Sequence, residues 1–233
     1  MKTDIFYKSY SPDFDWLYKS LQSVKKYVTG YNEIHIVIPV QDQHLFSIEK
    51  VPSNLKFSVH YVVEYGDGYL YQQWEKMRAH TYCYSDYIFY MDSDCFFTRP
   101  TDLNEYLVNG KPEILYTHYS KVGDAICWKA ATERFMNMEV EYEYMRRLPM
   151  MYHRSTIENI YNLCPFLEEF IMQTKGFSEF NAIGAWAFTH EKDKYRFTNT
   201  DNWYFVENPA VQLWSWDRGK QSEEEKINKI LGK

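Results

Sequence analysis

Too few cysteines, too little positive charge and too short an apolar run remove several broad classes of protein at the outset. Four cysteines stand in 233 residues: Cys83, Cys95, Cys127 and Cys164. No two are spaced as CxxC and the set has no framework spacing, which excludes disulfide-stapled and zinc-ribbon scaffolds and points to reduced thiols. Lysine and arginine number 26 against 32 acidic residues, a net charge of −6. A globally basic surface for nucleic acid is therefore absent, although a local basic groove is left open. The longest apolar stretch, Ile34 to Val40, falls far short of the roughly 18 residues that span a bilayer. Met1 to Tyr7 leads straight into a strand pattern, without the apolar core of a signal peptide. Low-complexity linkers, repeats and composition breaks are missing too. A soluble, cytoplasmic protein with no membrane partner is expected, as one domain over residues 1–233.

What is present is an ordinary globular balance, 45% hydrophobic and 25% charged, with 22 Tyr, 15 Phe and 7 Trp. Tyr and Trp suit core edges as well as sugar- or base-stacking pockets, and core packing accounts for most of them. The first half alternates strand and helix patterns, as an α/β sheet with crossover helices requires. Strands are predicted at Thr3–Ser9, Glu33–Pro39, Phe57–Glu64 and Tyr87–Met91. Helices are predicted at Phe14–Tyr27, where Leu17, Leu21, Val24 and Val28 share a face, at Gln43–Glu49 and at Leu70–Ala79. After Pro100 the pattern loosens: a strand at Glu113–Tyr116, helices at Lys129–Arg146 and at Ser155–Met172 interrupted at Pro165, and a strand at Ala182–Phe188. Residues 1–100 read as a nucleotide-binding half, 101–217 as an acceptor half and 218–233 as a polar, solvated tail.

Chemistry concentrates at Asp92-Ser93-Asp94, which follows the wholly apolar run Tyr87 to Met91. In open α/β sheets ligands bind beyond the carboxyl ends of strands, where these carboxylates emerge. Two aspartates two residues apart at such an end can converge on one hard cation. Mg²⁺ or Mn²⁺ takes oxygen ligands, commonly one or two carboxylates completed by substrate phosphate and water. A second Asp-x-Asp, Asp13-Phe14-Asp15, reads instead as a helix N-terminus, where aspartate caps amides and meets the positive end of the dipole. A cap is also the plain alternative for Asp92 and Asp94. The apolar strand before them and Cys95-Phe96-Phe97 after them speak against it, because buried carboxylates need a partner.

The run Gln72-Gln73-Trp74-Glu75-Lys76, followed by Asp86 through Asp94-Cys95-Phe96-Phe97, resembles the GT-A glycosyltransferases. There a "QQ..K" helix precedes an apolar strand ending in "D-x-D..F". Phe177-Ser178-Glu179-Phe180-Asn181-Ala182-Ile183-Gly184 is similar to a segment of the bacterial DUF6492-like group of such proteins. The resemblance covers about residues 3–190 in order and spacing. It implies a mixed, mostly parallel central sheet flanked by helices, a nucleotide-sugar donor with UDP favoured, and a divalent metal, Mn²⁺ or Mg²⁺. It places Tyr7, Lys8 and Ser9 beside base and ribose, with Ser93 in the same donor site. Lys76 is set near the diphosphate or under the Asp92–Asp94 loop. Asp92 is set at ribose and metal, and Asp94 on the metal. Glu179 becomes a candidate general base at the acceptor hydroxyl, with Asp124 as a second candidate. Many GT-A enzymes bring a third metal ligand, often His, from the C-terminal region. No histidine follows His190 here, and Asp201 or Asp217 could substitute.

Other clusters carry less. His118 and His153 are expected to be structural. Arg134, Arg146, Arg147 and Arg154 form solvated helix faces or a local basic patch. Such a patch would suit an anionic acceptor such as a hydroxymethylated DNA base beside the more general glycan hydroxyl. Competing readings are a sugar-nucleotide or glycan binder without catalysis, a phosphohydrolase with Asp92 as nucleophile, and a nucleotidyltransferase. Three strand patterns before Asp92 argue against the phosphohydrolase. The lack of a glycine- and lysine-rich loop after the first strand argues against the nucleotidyltransferase.

Overall fold

The structure, a computed structural model, describes residues 1–202, 208–214 and 219–232. In chain order the strands are β1 (Thr3–Lys8), β2 (Val28–Thr29), β3 (Ile34–Pro39), β4 (Phe57–Val62), β5 (Tyr87–Met91), β6 (Cys95–Phe97) and β7 (Thr101–Asp102). The later ones are β8 (Leu107–Val108), β9 (Lys111–His118), β10 (Tyr142–Glu143), β11 (Met150–His153), β12 (Arg196–Asn199) and β13 (Ala210–Gln212). The helices are α1 (Phe14–Tyr27), α2 (Gly68–Met77), α3 (Lys129–Met136), α4 (Arg154–Leu163), α5 (Leu167–Gln173), α6 (Glu179–His190) and α7 (Gln221–Leu231).

Five strands form the central sheet in the order β11-β5-β1-β3-β4. Strands β5, β1, β3 and β4 run parallel, and β11 is antiparallel on the β5 edge. The chain moves outward from β1 to β3 and β4, then crosses to the other side of β1 for β5. That reversal makes a switch point between the carboxyl ends of β1 and β5, where a crevice opens in folds of this kind.

Both faces of the sheet are covered at its centre, which is why β5 reads as a continuous apolar run, buried throughout. Ile5, Tyr7, Ile34, Ile36, Phe89 and Met91 point to the α1 face, where Leu17, Leu21 and Val24 are fully buried. Phe6, Val37, Ile88 and Tyr90 point to the opposite face, with Trp74 and Met77 of α2 and Phe180 and Ile183 of α6. The period-two alternation of β1 therefore sends Tyr7 down and Lys8 up.

Several sequence-based expectations are corrected here. Ala182–Phe188 lies within helix α6, not a strand. Ser178 caps its N-terminus, accepting from Asn181 N, and Ala182, Ile183, Ala185 and Ala187 are buried. An apolar run covered on most sides has neither helical nor strand periodicity to read, and its alanines favour the helix. Gly184 sits where a Cβ would lie 2.3 Å from Tyr144 Cβ. Gly184→Ala is thus expected to lose about 1–3 kcal/mol through overpacking despite the better helix propensity, as read by denaturant unfolding.

The helix expected over Lys129–Arg146 stops at Met136, because Asn137 takes a left-handed conformation at φ 51°. Beyond it the chain is held as the short strand β10, with Tyr142 and Glu143 paired antiparallel to His118 and Thr117 of β9. Gln43–Glu49 forms two short 3-10 turns, Val40–Leu45 and Ile48–Lys50, with no buried residue to anchor a longer helix. The polar tail is docked rather than solvated. Ile227 of α7 is fully buried with Trp16, Phe96 and Leu213, burial worth about 2 kcal/mol. Among the described residues, no helix is long and apolar enough to cross a membrane.

Candidate active site

A cavity of about 540 Å³ opens at the switch point, lined by Lys8, Ser9, Glu64, Asp92, Ser93 and Asp94 among others. Each of these residues follows or ends a parallel strand of the central sheet. The chain leaves β5 at Met91 and turns at once, with Cys95 N donating to Asp92 O at 3.0 Å. Ser93 Oγ and Ser9 Oγ are 2.9 Å apart, so this turn is hydrogen-bonded to the end of β1. A second cavity of similar volume, at Lys25, Lys26 and Lys50, lies at the far end of α1. Because α1 is the return crossover from β1 to β3, that groove is at the amino ends of the strands.

Behind the turn runs a buried chain of charge. Lys76 Nζ stands 2.7 Å from Asp92 Oδ1 and 2.8 Å from Glu179 Oε1, and its side chain is 3% exposed. It also lies over the Phe180 ring at 4.8 Å. The i, i+4 spacing on α2 puts Gln72 at the cavity and Lys76 beneath it. Gln73, three residues before Lys76, accepts from Glu179 N at 3.0 Å and fixes the start of α6. Burial works against the Lys76 charge, but Asp92 and then Glu179 outweigh it and hold the ammonium above its usual range. Burial pushes the Glu179 carboxyl up, only partly countered by Lys76.

Asp94 is 9% exposed. Burial first, and the Asp92 charge second, push its carboxyl up to about 7. Gln212 Nε2 on β13 lies 3.3 Å from each Asp94 oxygen, a contact that sequence reading missed. Glutamine carries no charge or metal-ligand signature, and only the β13–β6 pairing brings it here. Lys8 ends β1 and pairs with Glu64 Oε1 at 2.7 Å, another cavity residue that went unread because Glu64 follows the end of β4. Asp13 is at the N-cap position of α1 but makes no cap hydrogen bond with its side chain, and it lines the cavity instead.

The remaining candidates are placed elsewhere. Tyr7 is fully buried on the α1 face, hydrogen-bonded to Ser20 at 2.8 Å, so its side chain does not border the cavity. Glu179 is 3% exposed behind Lys76 and does not face the cavity as an acceptor-side base would. Asp124 is exposed in the 3-10 turn Gly123–Trp128, away from the cavity lining. Asp201 accepts from His118 N at 2.8 Å beyond β12, and Asp217 lies outside the described residues. His118 and His153 make local structural contacts, His118 to Ser120 and His153 to the Lys194 carbonyl. Of the four arginines, Arg146 pairs with Glu143, Arg147 with Glu113 and Arg154 with Glu158, while Arg134 lies over Phe170.

Two carboxylates at a cavity mouth, one of them penalised by its neighbour's charge, form a donor set that suits a hard divalent cation such as Mg²⁺ or Mn²⁺. A different trio, Asp4, His35 and Cys83, also lies close enough to hold a metal. It sits at the start of β1, at the opposite end of the sheet. The Asp4 oxygens already accept from Asn32, Tyr84 N, Ser85 N and Ser85 Oγ, and burial pushes the Cys83 thiol up. Asp4 thereby fastens β1 to the turn before β5.

The raised Asp94 carboxyl gives a pH signature. Its proton is preferred in the fold, so its contribution to stability is full below the unfolded carboxylate range and is lost as pH rises through about 7. A cation held by Asp94 would have to displace that proton. Mn²⁺ affinity is expected to climb with pH up to about 7 and to level off above it. Calorimetric titration of Mn²⁺ across that range checks this, and a flat profile contradicts it.

No protein-family model matches the chain, and no curated protein matches it by sequence. Among solved structures, it is similar to the crystal structure of the galactosyltransferase LgtC in complex with donor and acceptor sugar analogs. The TM-score is 0.60 at 12% identity, over 98% of this chain and 95% of that one. At that identity the likeness is one of fold, and the fold is GT-A.

Proposed function

We propose that the chain is a metal-dependent glycosyltransferase that moves a sugar from a nucleoside diphosphate donor, a UDP-sugar first, to a hydroxyl of a glycan-type acceptor. The observation that carries this reading is the Asp92-Ser93-Asp94 turn at the switch-point cavity, with Lys76 and Glu179 locked behind it. Asp92 and Asp94 would hold Mn²⁺ or Mg²⁺. When bound, the cation neutralises the diphosphate and stabilises charge on the departing nucleoside diphosphate.

The chain's own residues orient and exclude. Lys8 and Ser9 receive the nucleotide side of the donor, and the Ser93–Ser9 hydrogen bond keeps that side in register with the carboxylate pair. Lys76 engages Asp92 Oδ1 and so fixes its rotamer, which leaves the other oxygen available. Glu179 is a positioning residue that holds Lys76, because an ion pair of 2.8 Å in a buried setting is not poised to take a proton from an acceptor. Asp13, Asp42, Glu64, Asp92 and Asp94 line the cavity, and among the described residues Lys8 is the cation that lines it. That sign balance would leave the diphosphate to be offset by the cation, and it gives a polyanionic acceptor such as DNA no attraction of its own. The pairing of Arg146, Arg147 and Arg154 with their own glutamates removes the support for a basic groove.

Donor hydrolysis tests the reading. Glycosyltransferases leak sugar to water, so slow, Mn²⁺-dependent release of UDP from a UDP-hexose is expected. UDP binding without release from any UDP-hexose would make the chain a sugar-nucleotide binder instead.

A further inference from the structure

Asp94 is nearly enclosed, and the side chain that reaches its carboxylate from a distant element is Gln212, 118 residues away in sequence. Backbone geometry sets that contact. β13 pairs antiparallel with β6, with Gln212 opposite Cys95, and Leu213 N donates to Asp94 O at 2.8 Å. Gln212 is therefore held beside Asp94 from two sides of its own backbone. The amide nevertheless sits 3.3 Å from both oxygens. Hydrogen bonds to a carboxylate normally close to about 2.7–2.9 Å. It straddles the carboxylate rather than donating tightly to one oxygen.

A primary amide has a donor and an acceptor on one carbon, and half a turn about its last torsion exchanges them. Without a cation, the donor is what the Asp94 carboxylate requires. With a cation shared by Asp92 and Asp94, a neutral carbonyl oxygen is what a hard ion accepts, and it adds no third negative charge. We propose that Gln212 is a third protein ligand to the divalent cation, through Oε1. The inference rests on Asp92 and Asp94 being the cation site. It has a structural corollary: cation binding fastens β13 onto β6, so the segment Ala210–Leu213 becomes better protected when the ion arrives.

Gln212→Glu, Gln212→His and Gln212→Ala separate ligation from simple hydrogen bonding. Glutamate and unprotonated histidine can ligate a cation, but ionised glutamate cannot donate to Asp94. Mn²⁺ alone is the probe, with affinity read by electron paramagnetic resonance of the free ion and protection of residues 210–213 by hydrogen exchange. Folding of each variant is checked by its melting temperature. Expected are a loss of about 10-fold or more for Gln212→Ala, and near-wild-type or tighter binding for Gln212→Glu and for Gln212→His above its own pKa. Mn²⁺-induced protection is expected in the wild type and absent in Gln212→Ala. Glutamate and histidine variants as weak as alanine would overturn the proposal and leave Gln212 a hydrogen-bond donor. An alanine variant that binds like wild type would overturn it too, as would a wild type that binds no Mn²⁺. Mn²⁺ binding that follows this pattern without any UDP effect would uphold the ligand while removing the donor assignment.

Discussion

Asp94→Ala and Asp94→Asn are expected to abolish cation-dependent binding of the nucleoside diphosphate while leaving the metal-free protein as stable as before, or more so. The two signs come from the same geometry. Asp94 is 9% exposed, beside the like charge of Asp92, and its partner is an uncharged amide. Ionised, it costs the fold free energy, because burial and the neighbouring Asp92 charge both push its carboxyl up. Replacing it removes that cost, and the asparagine form keeps the shape and a hydrogen bond to Gln212. Loss of the carboxylate also removes one of the two anionic ligands that the Asp92-Ser93-Asp94 turn offers, so transfer should fall by about 100-fold or more. Gain of stability with loss of activity marks a residue kept for function. Thermal unfolding with and without Mn²⁺ and UDP measures both. A helix cap or structural turn would instead give a destabilised variant with unchanged cation response.

Lys76→Met is expected to have the largest effect on stability. It leaves Asp92 and Glu179 facing each other without the ammonium that now stands within 2.8 Å of both. Breaking a buried pair by removing one partner costs about 3–5 kcal/mol, which in a chain of this size lowers the melting temperature by roughly 10 °C. Adding Glu179→Gln to Lys76→Met removes one of the stranded charges and should restore part of the loss. Glu179→Gln alone separates positioning from catalysis. Holding Lys76 is a task that glutamine partly performs, so the pH profile of transfer should keep its shape while the rate falls modestly. Loss of about 1000-fold, with disappearance of one limb of the profile, would mark Glu179 as the general base after all.

How far the sequence could be read depended on how locally each feature was determined. The parallel strands and α1 were legible because their patterns are set by the face they bury: Leu17, Leu21 and Val24 have a helical period, and Tyr87–Met91 has none because both sides are covered. Asp92 and Asp94 were legible because their position after a buried strand is itself the signal. α6 was misread for the complementary reason: Ala182–Phe188 is apolar on nearly every side, so length and alanine content had to decide, and periodicity could not. The side chains' destinations were less legible than the elements. Tyr7 and Lys8 are adjacent, yet one enters the core and the other reaches the cavity, a choice fixed by strand register. Lys76 and Glu179 lie far apart in the chain, and their pairing depends on α2 and α6 sharing one face of the sheet. Gln212 had no signal of its own, since a lone glutamine on a short strand becomes informative only when β13 is laid against β6.

The most direct test is a thermal-shift titration of the wild-type chain with UDP, GDP and CDP, each with and without Mn²⁺. A ligand at a hundredfold over its Kd adds about 2.7 kcal/mol of apparent stability, which is readily seen. A donor site built on Asp92 and Asp94 requires that a nucleoside diphosphate, UDP before the others, raise the melting temperature only when Mn²⁺ is present. If no nucleotide moves the midpoint in either condition, the carboxylate pair is not a donor site and the glycosyltransferase assignment fails.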